Sequence, residues 1–201
     1  MHYIEQVESK WGTLEEEGHC LVNGKMPFIS DVARLNMIFP AENTELFISR
    51  VHDRFQCDLP EQLIEFYKKY NGCRLFFGSL NVFGMQNHPG EVYQPYDIFV
   101  ENNHIMGAIK GSSKDAFNML FVASIGGDYA FGIDKNNPGR ITGIKKGAKY
   151  SIVQEFPDFN AFFDFHFRRL ICEYSTDCRK IHPSVQFKGI PALENLTSEI
   201  Q

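Results

Sequence analysis

Residues 51–72 read VHDRFQCDLPEQLIEFYKKYNG and contain the start and stop signals of a helix. Pro60 suits the first turn, because its fixed φ is helical and its missing N–H would be unpaired there. Glu61 places negative charge at the positive end of the helix dipole, and Asn71-Gly72 is typical of a left-handed stop. These signals predict a helix over residues 60–70. Its apolar side chains recur every three or four positions and must face a core: Leu63, Phe66, Tyr67 and Tyr70.

The flanking segments predict a second helix before this one and strand structure after it. Upstream, Asn43 or Thr44 can cap a helix that ends before residues 56–58. Its apolar positions, again at helical spacing, are Phe47, Ile48, Val51 and Phe55. Downstream, residues 74–84 are rich in β-forming side chains and are interrupted by Gly78, which predicts one bent strand or two short ones.

Strand patterns dominate the second half of the chain. Residues 118–124 are almost continuously apolar, whereas residues 129–134 and 140–146 alternate between apolar and polar side chains. Residues 136–139, Asn-Asn-Pro-Gly, have the composition of a turn between them. The short connections predict a meander, and therefore an antiparallel sheet.

Three more helices are predicted from apolar spacing. A short opening helix would turn Tyr3, Ile4, Val7 and Trp11 inward. A helix over residues 96–106 would turn Ile98, Phe99, Asn102 and Ile105 inward. A closing helix over residues 157–174 has a dense aromatic stripe that suits the cover of a sheet better than a ligand platform: Phe159, Phe162, Phe163, Phe165 and Phe167.

Three of these segments resemble the SMI1/KNR4 family of the SUKH superfamily. The first is the helix with Asp58, Leu59-Pro60-Glu61, its apolar stripe and Asn71-Gly72. The second is the run from Leu120 to Asp134, which is similar to the family's hairpin with a Gly-Gly-Asp turn. The third is the Phe-rich closing helix. The three occur in the family's order and cover residues 43–174, with gaps.

The pattern and the resemblance together predict an α+β fold. We expect a mostly antiparallel sheet of about five or six strands, covered on one face by the two central helices and the closing helix. A chain of 201 residues fits a single domain over residues 1–201. Relative to the family, residues 12–42 look like an N-terminal insertion and residues 176–201 like a C-terminal tail, and neither receives a role.

Composition excludes several classes of protein. The chain has 20 Lys and Arg against 25 Asp and Glu, a formal charge of −5. This balance argues against direct nucleic-acid binding and suits a basic protein partner. No segment is long and apolar enough for a bilayer, and the N-terminus lacks the basic and apolar regions of a signal peptide, so we expect a cytoplasmic protein without a membrane partner. Five irregularly spaced cysteines fit reduced thiols in that compartment.

A search for catalytic and metal-binding motifs predicts no catalytic residue, no metal site and no cofactor. The sequence contains no Gly-rich phosphate loop, nucleophile elbow, His-Glu-x-x-His or Cys-x-x-Cys. The strongest metal alternative is Cys172, Cys178 and His182, which lacks a fourth ligand unless His19 or Cys20 approaches. Cys57 and Cys73 are nucleophile candidates only if a histidine lies beside one of them. The protein is therefore expected not to be an enzyme.

The resemblance implies a function that composition does not. Many bacterial SUKH-like proteins are immunity proteins that bind and neutralise a toxin from the same locus, often a nuclease. The predicted partner is thus a cognate toxin domain of basic character, held by stoichiometric binding. The candidate contacts are acidic and aromatic positions in the 96–106 helix and the hairpin: Asp97, Glu101, Asp128, Tyr129 and Asp134. Carboxylates there would accept hydrogen bonds from Arg or Lys, although Asp128 and Asp134 also suit a purely structural turn role.

Two alternatives remain at the sequence level. The first is a non-catalytic regulatory or scaffold protein of the same family, which would be expected to have long disordered arms that this chain lacks. The second is a small enzyme or ligand-binding protein, which would require a deep pocket with clustered titratable groups.

Overall fold

The computed structural model describes residues 3–109, 118–146 and 151–181, which form a nine-stranded antiparallel sheet and five helices. The strands are β1 (Glu15–Glu17), β2 (Cys20–Lys25), β3 (Arg34–Pro40), β4 (Tyr70–Leu75), β5 (Leu80–Val82), β6 (Met119–Ile125), β7 (Tyr129–Asp134), β8 (Asn137–Lys145) and β9 (Ile152–Phe156). The helices are α1 (Tyr3–Trp11), α2 (Thr44–Phe55), α3 (Glu61–Tyr67), α4 (Ile98–Ala108) and α5 (Phe159–Cys172). Each strand pairs with the next along the chain, which confirms the predicted meander and the α+β class.

The sheet has more strands than the five or six predicted. The difference begins in residues 15–40, which we interpreted as part of an insertion and which form β1, β2 and β3 of the same sheet. β3 pairs directly with β4 through Ile38 and Cys73. The sequence pattern misses β1 because Glu15–Glu17 has no apolar alternation, and this strand is specified by its pairing with β2 rather than by burial.

The first central helix, α2, lies where the sequence predicted it, but its start differs in detail. Asn43 occupies the N-cap position in a left-handed conformation, and its side chain makes no capping hydrogen bond. The hydroxyl of Thr44 instead donates to the backbone oxygen of Tyr67, 3.0 Å away, and so connects α2 to α3. The two helices also meet through the rings of Phe47 and Tyr67, whose centroids are 4.5 Å apart.

The second central helix is shorter than predicted. α3 ends at Tyr67, and Asn71-Gly72, which we interpreted as its stop, belongs to β4. Gly72 does have a positive φ of 87°, but a Cβ there would lie only 2.6 Å from the backbone oxygen of Val82. This glycine is therefore required by the close approach of β4 and β5 rather than by a helix end.

The closing helix confirms its predicted structural role. Asp158 caps α5 by accepting a hydrogen bond from the N–H of Ala161 at 2.8 Å. Phe159 packs on Phe66 of α3 with ring centroids 5.4 Å apart, and Phe162 packs on Phe131 of β7 at 4.9 Å. The aromatic stripe thus joins the sheet to α3 in one hydrophobic core.

Helix α4 joins the sheet through a buried amide. β5 has only three residues, so the edge of β6 beyond it needs another partner. Asn102 fills this position: its Nδ2 donates to the backbone oxygen of Phe121 at 2.7 Å, and its Oδ1 accepts from the N–H of Phe121 at 2.9 Å. The predicted inward face of α4 is confirmed for Ile98, Asn102 and Ile105, all buried, whereas Phe99 is only partly buried.

The two ends of the described chain meet. The indole N–H of Trp11 donates to the backbone oxygen of Ser175 at 2.8 Å, and the Trp11 ring packs against Phe76. All five cysteines are free thiols. In the part of the chain that the structure describes, no helix combines the length and apolarity needed to cross a bilayer. Most of the predicted C-terminal tail, residues 182–201, lies outside the described residues.

Candidate functional site

Two predicted contact residues, Asp97 and Glu101, lie at the start of α4, and they differ in how many hydrogen bonds their carboxylates already accept. Asp97 is the N-cap: its Oδ1 accepts hydrogen bonds from the N–H groups of Phe99 and Val100 at 2.9 and 3.0 Å. Its other oxygen accepts from the N–H of Gln86 at 3.2 Å. Among the described residues, the carboxylate of Glu101 contacts only His104, at 4.0 Å. Asp97 therefore holds the helix start, and Glu101 is the residue of the two whose carboxylate can accept from a partner.

The three predicted residues of the hairpin lie at opposite ends of β7. Asp128 is exposed in the turn that precedes the strand, and Tyr129 is its half-buried first residue. Asp134 ends the strand, where its Oδ1 accepts a hydrogen bond from the N–H of Asn136 at 2.9 Å. A strand of six residues separates its ends by about 17 Å. The five predicted residues therefore do not form one continuous patch.

The ring of Phe55 connects α4 to the Asp134 end of β7. It stacks on Phe99 with centroids 5.7 Å apart and an interplanar angle of 8°. The ammonium of Lys135, next to Asp134 in the chain, lies 5.9 Å from the Phe55 ring. We define the Phe55 surface as Phe55, Phe99, Val100, Glu101 and Asp134. It combines half-buried aromatic rings with carboxylates, a composition suited to a protein partner.

A second cluster, which the sequence did not reveal, lies where three connections of the chain meet, and we call it the His–Glu cluster. His19 comes from the β1–β2 turn, Glu42 from the β3–α2 connection, and His88 and Glu91 from the β5–α4 connection. The two imidazoles stack with centroids 3.6 Å apart and planes at 2°. The four residues border one small surface cleft. Their separation along the chain explains why no local motif revealed them.

Burial opposes nucleophilic chemistry at both candidate cysteines. Cys73 is buried, and burial raises its pKa to about 12. Burial also raises the pKa of Cys57, which is opposed by the charge of Lys135. A nucleophilic cysteine needs a lowered pKa, so the raised pKa values of Cys57 and Cys73 argue against that role. Of the alternative metal set, Cys178 is buried and Cys172 half-buried, while His182 lies outside the described residues.

The sequence model of the SMI1 / KNR4 family (SUKH-1) matches residues 42–164, more than half of the chain. The chain belongs to the SMI1/KNR4 family. This confirms the resemblance carried by the central helix, the hairpin and the closing helix. No curated protein matches the sequence.

The SMI1/KNR4 match covers the central part of the structure and leaves out the N-terminal helix and strands. It extends from the start of α2 into α5 and includes the whole Phe55 surface. Helix α1 and strands β1–β3 precede it, although those strands continue the same sheet. The His–Glu cluster therefore combines three residues inside the family match with one, His19, outside it.

Proposed function

We propose that this SMI1/KNR4 protein is an immunity protein that binds a cognate toxin and neutralises it in the cytoplasm. Family membership is the observation that carries the proposal, because an immunity role is common among bacterial members. Inhibition of this kind requires a preformed complementary surface and no turnover. The raised pKa values of Cys57 and Cys73 agree with a protein that acts by binding.

The partner in this proposal is a basic toxin domain, which the acidic chain recognises through opposite charge. 

The formal charge of −5 makes the whole chain acidic, and Asp58, near the Phe55 surface in sequence, has a side chain that is 89% exposed. Opposite charges steer two proteins together and raise the association rate, which matters when free toxin acts at once. The proposed contacts are Glu101 and Asp134 on the Phe55 surface, Asp97 at the N-cap of α4, and Asp128 and Tyr129 at the other end of β7.

The direct test is rescue of cells that express the toxin domain encoded beside this gene. Co-expression of the full chain should restore growth, and the purified proteins should form a complex of fixed stoichiometry. The toxin's activity should fall to background once the immunity protein is present in equal amount. Failure to rescue growth, together with no complex by size-exclusion chromatography, would contradict the proposal.

Charge-reversal variants test which end of β7 contacts the toxin. Glu101→Lys and Asp134→Lys should each weaken the complex by about tenfold or more if the Phe55 surface is the contact. Asp128→Lys tests the opposite end of the strand. Asp177→Lys is the charge-matched control, because its carboxylate is exposed in the C-terminal segment and, among the described residues, contacts its neighbours Ser175 and Arg179. Equal affinities for all four variants would exclude both predicted surfaces.

A further inference from the structure

The His–Glu cluster has the spacing of a metal site. One ligand atom from each of His19, His88 and Glu91 lies within 4.8 Å of the others. The Nε2 of His19 and the Oε1 of Glu91 are 3.4 Å apart. Two ligands of a tetrahedral zinc ion, each about 2.0–2.2 Å from the metal, are separated by about 3.3–3.6 Å. We propose that these three residues bind a divalent transition-metal ion of the Zn²⁺ class.

Glu42 is placed to orient both imidazoles. Its Oε2 lies 2.8 Å from the Nε2 of His88, and its Oε1 lies 3.5 Å from the Nδ1 of His19. In metal sites the second ring nitrogen of a ligating histidine commonly bonds to a carboxylate, which fixes the tautomer and makes the first nitrogen a better ligand. Glu42 is therefore a positioning residue that leaves the Nε2 of His19 and the Nδ1 of His88 for the ion.

Glu91 is held by the backbone of the β1–β2 turn. The N–H of His19 donates to its Oε2 at 3.4 Å, which leaves Oε1 toward the imidazole. The turn allows this approach because residue 18 is glycine: a Cβ there would lie 3.1 Å from the Glu91 carboxylate. The carboxylate thus has a fixed position before any ion binds.

The electrostatics of the cleft favour a cation. Glu42 and Glu91 bring two carboxylates to one small volume, and a divalent ion compensates their charge. Among the described residues that line the cleft, none is lysine or arginine. The Nδ2 of Asn87 lines the same cleft, is buried, and has no hydrogen-bond partner among the described residues.

Ion binding requires the stacked imidazoles to separate. Lone pairs of two parallel rings lie in parallel planes and do not converge, and the ring planes of His19 and His88 differ by only 2°. His88 lies in the irregular connection between β5 and α4 with a third of its side chain exposed, so its ring can turn toward the ion. Binding would then join the β1–β2 turn to this connection.

The test uses the untagged full chain after chelator treatment, because an affinity tag of histidines would itself bind metal. Calorimetry with ZnCl₂ should give one ion per chain, and the melting temperature should rise with Zn²⁺ concentration. Co²⁺ should give the intense visible bands of tetrahedral coordination. Mg²⁺ should not compete, since imidazole ligands select transition metals.

Variants assign the ligands. His88→Gln and Glu91→Gln should each abolish Zn²⁺ binding and the Co²⁺ bands. Glu42→Gln should weaken binding by about 10- to 100-fold while the tetrahedral bands remain, which distinguishes an orienting carboxylate from a ligand. The control is His104→Gln, because that side chain is 71% exposed on α4 and lies outside the cleft. Its affinity should equal that of the wild type.

Two results would overturn the proposal. The first is no Zn²⁺ binding and no tetrahedral Co²⁺ spectrum with the folded wild-type chain, which would make the cluster a network of ion pairs only. The second is binding that persists in His88→Gln and Glu91→Gln. Circular dichroism and the melting temperature of each metal-free variant establish whether it is folded. If a variant is unfolded, the Co²⁺ spectrum of the wild-type chain still shows whether a tetrahedral site exists.

Discussion

His166 is a buried histidine in a pocket of aromatic rings, and both of its ring nitrogens lack a hydrogen-bond partner among the described residues. The ring centroids of Phe131, Phe156, Phe162 and Phe165 lie 5.2, 5.5, 5.1 and 5.0 Å from its own. Burial, with a smaller effect of the Arg169 charge, lowers its pKa to about 3. The folded protein therefore keeps this imidazole neutral where an unfolded chain would protonate it.

This lowered pKa predicts acid sensitivity. Between pH 6.5 and about 3 the unfolded chain binds a proton at His166 that the folded chain does not, so folding becomes less favourable as the pH falls. The slope approaches about 1.4 kcal/mol per pH unit. His166→Leu should remove this dependence and leave the free energy of unfolding at pH 7 unchanged or higher. Urea titrations at several pH values measure it.

The matched control for this experiment is His104→Gln. Its side chain is exposed, so that substitution should leave the acid dependence as in the wild type. An unchanged slope in His166→Leu would show that other groups cause the acid sensitivity.

At the scale of elements, the attachment of α4 to β6 depends on one side chain. Asn102→Leu keeps similar bulk but leaves the buried N–H and C=O of Phe121 unpaired. We expect the free energy of unfolding to fall by about 2–4 kcal/mol, the cost of buried polar groups without partners. Asn103→Leu is the control, since Asn103 is exposed on the same helix. Equal stability of the two variants, measured by urea denaturation, would contradict the assigned role.

Alanine substitution should have opposite effects on stability at two glycines, Gly84 after β5 and Gly107 in α4. A Cβ at Gly84 would lie 2.1 Å from the backbone oxygen of Asn71, so Gly84→Ala must displace the backbone. It should lower the free energy of unfolding by at least about 2 kcal/mol. Gly107 is exposed in α4 with nothing within 4 Å of the added atom. Gly107→Ala should raise stability by about 0.5–1 kcal/mol, because alanine loses less backbone entropy. Thermal denaturation of both variants measures the difference.

At the scale of the whole molecule, the sheet and core predict one cooperative unit. Strands β1–β3 lie outside the SMI1/KNR4 match but pair into the same sheet, and one hydrophobic cluster extends from Val7 to Cys178. Trp11, the single tryptophan, reports on the junction of the chain ends through its contact with Phe76 and its hydrogen bond to Ser175. Its fluorescence and far-UV circular dichroism should therefore change at the same urea concentration.

Separate transitions in that experiment would contradict the single domain predicted for residues 1–201. A fluorescence change at lower urea would mean that α1 detaches before the rest of the sheet unfolds. Coincident curves are the standard sign of two-state unfolding in a domain of this size.

Local sequence patterns were sufficient to predict the elements whose buried side chains recur at one regular spacing. The apolar stripes of α2, α3 and α5 and the runs of β6 and β7 are local patterns, and the hydrophobic effect acts on them in any compact arrangement. The SMI1/KNR4 resemblance was readable for the same reason, since its motifs lie within single elements. The end of α3 was predicted too late because Asn71-Gly72 satisfies a helix stop and a close strand contact equally well.

The remaining features became visible only in the folded molecule, because they depend on residues far apart in the chain. The strand character of Glu15–Glu17 comes from pairing with β2, and the role of Asn102 comes from a gap that β5 leaves beside β6. The His–Glu cluster joins position 19 to positions 42, 88 and 91. A side chain's chemistry is set by its neighbours in space, and the sequence pattern records only its neighbours along the chain.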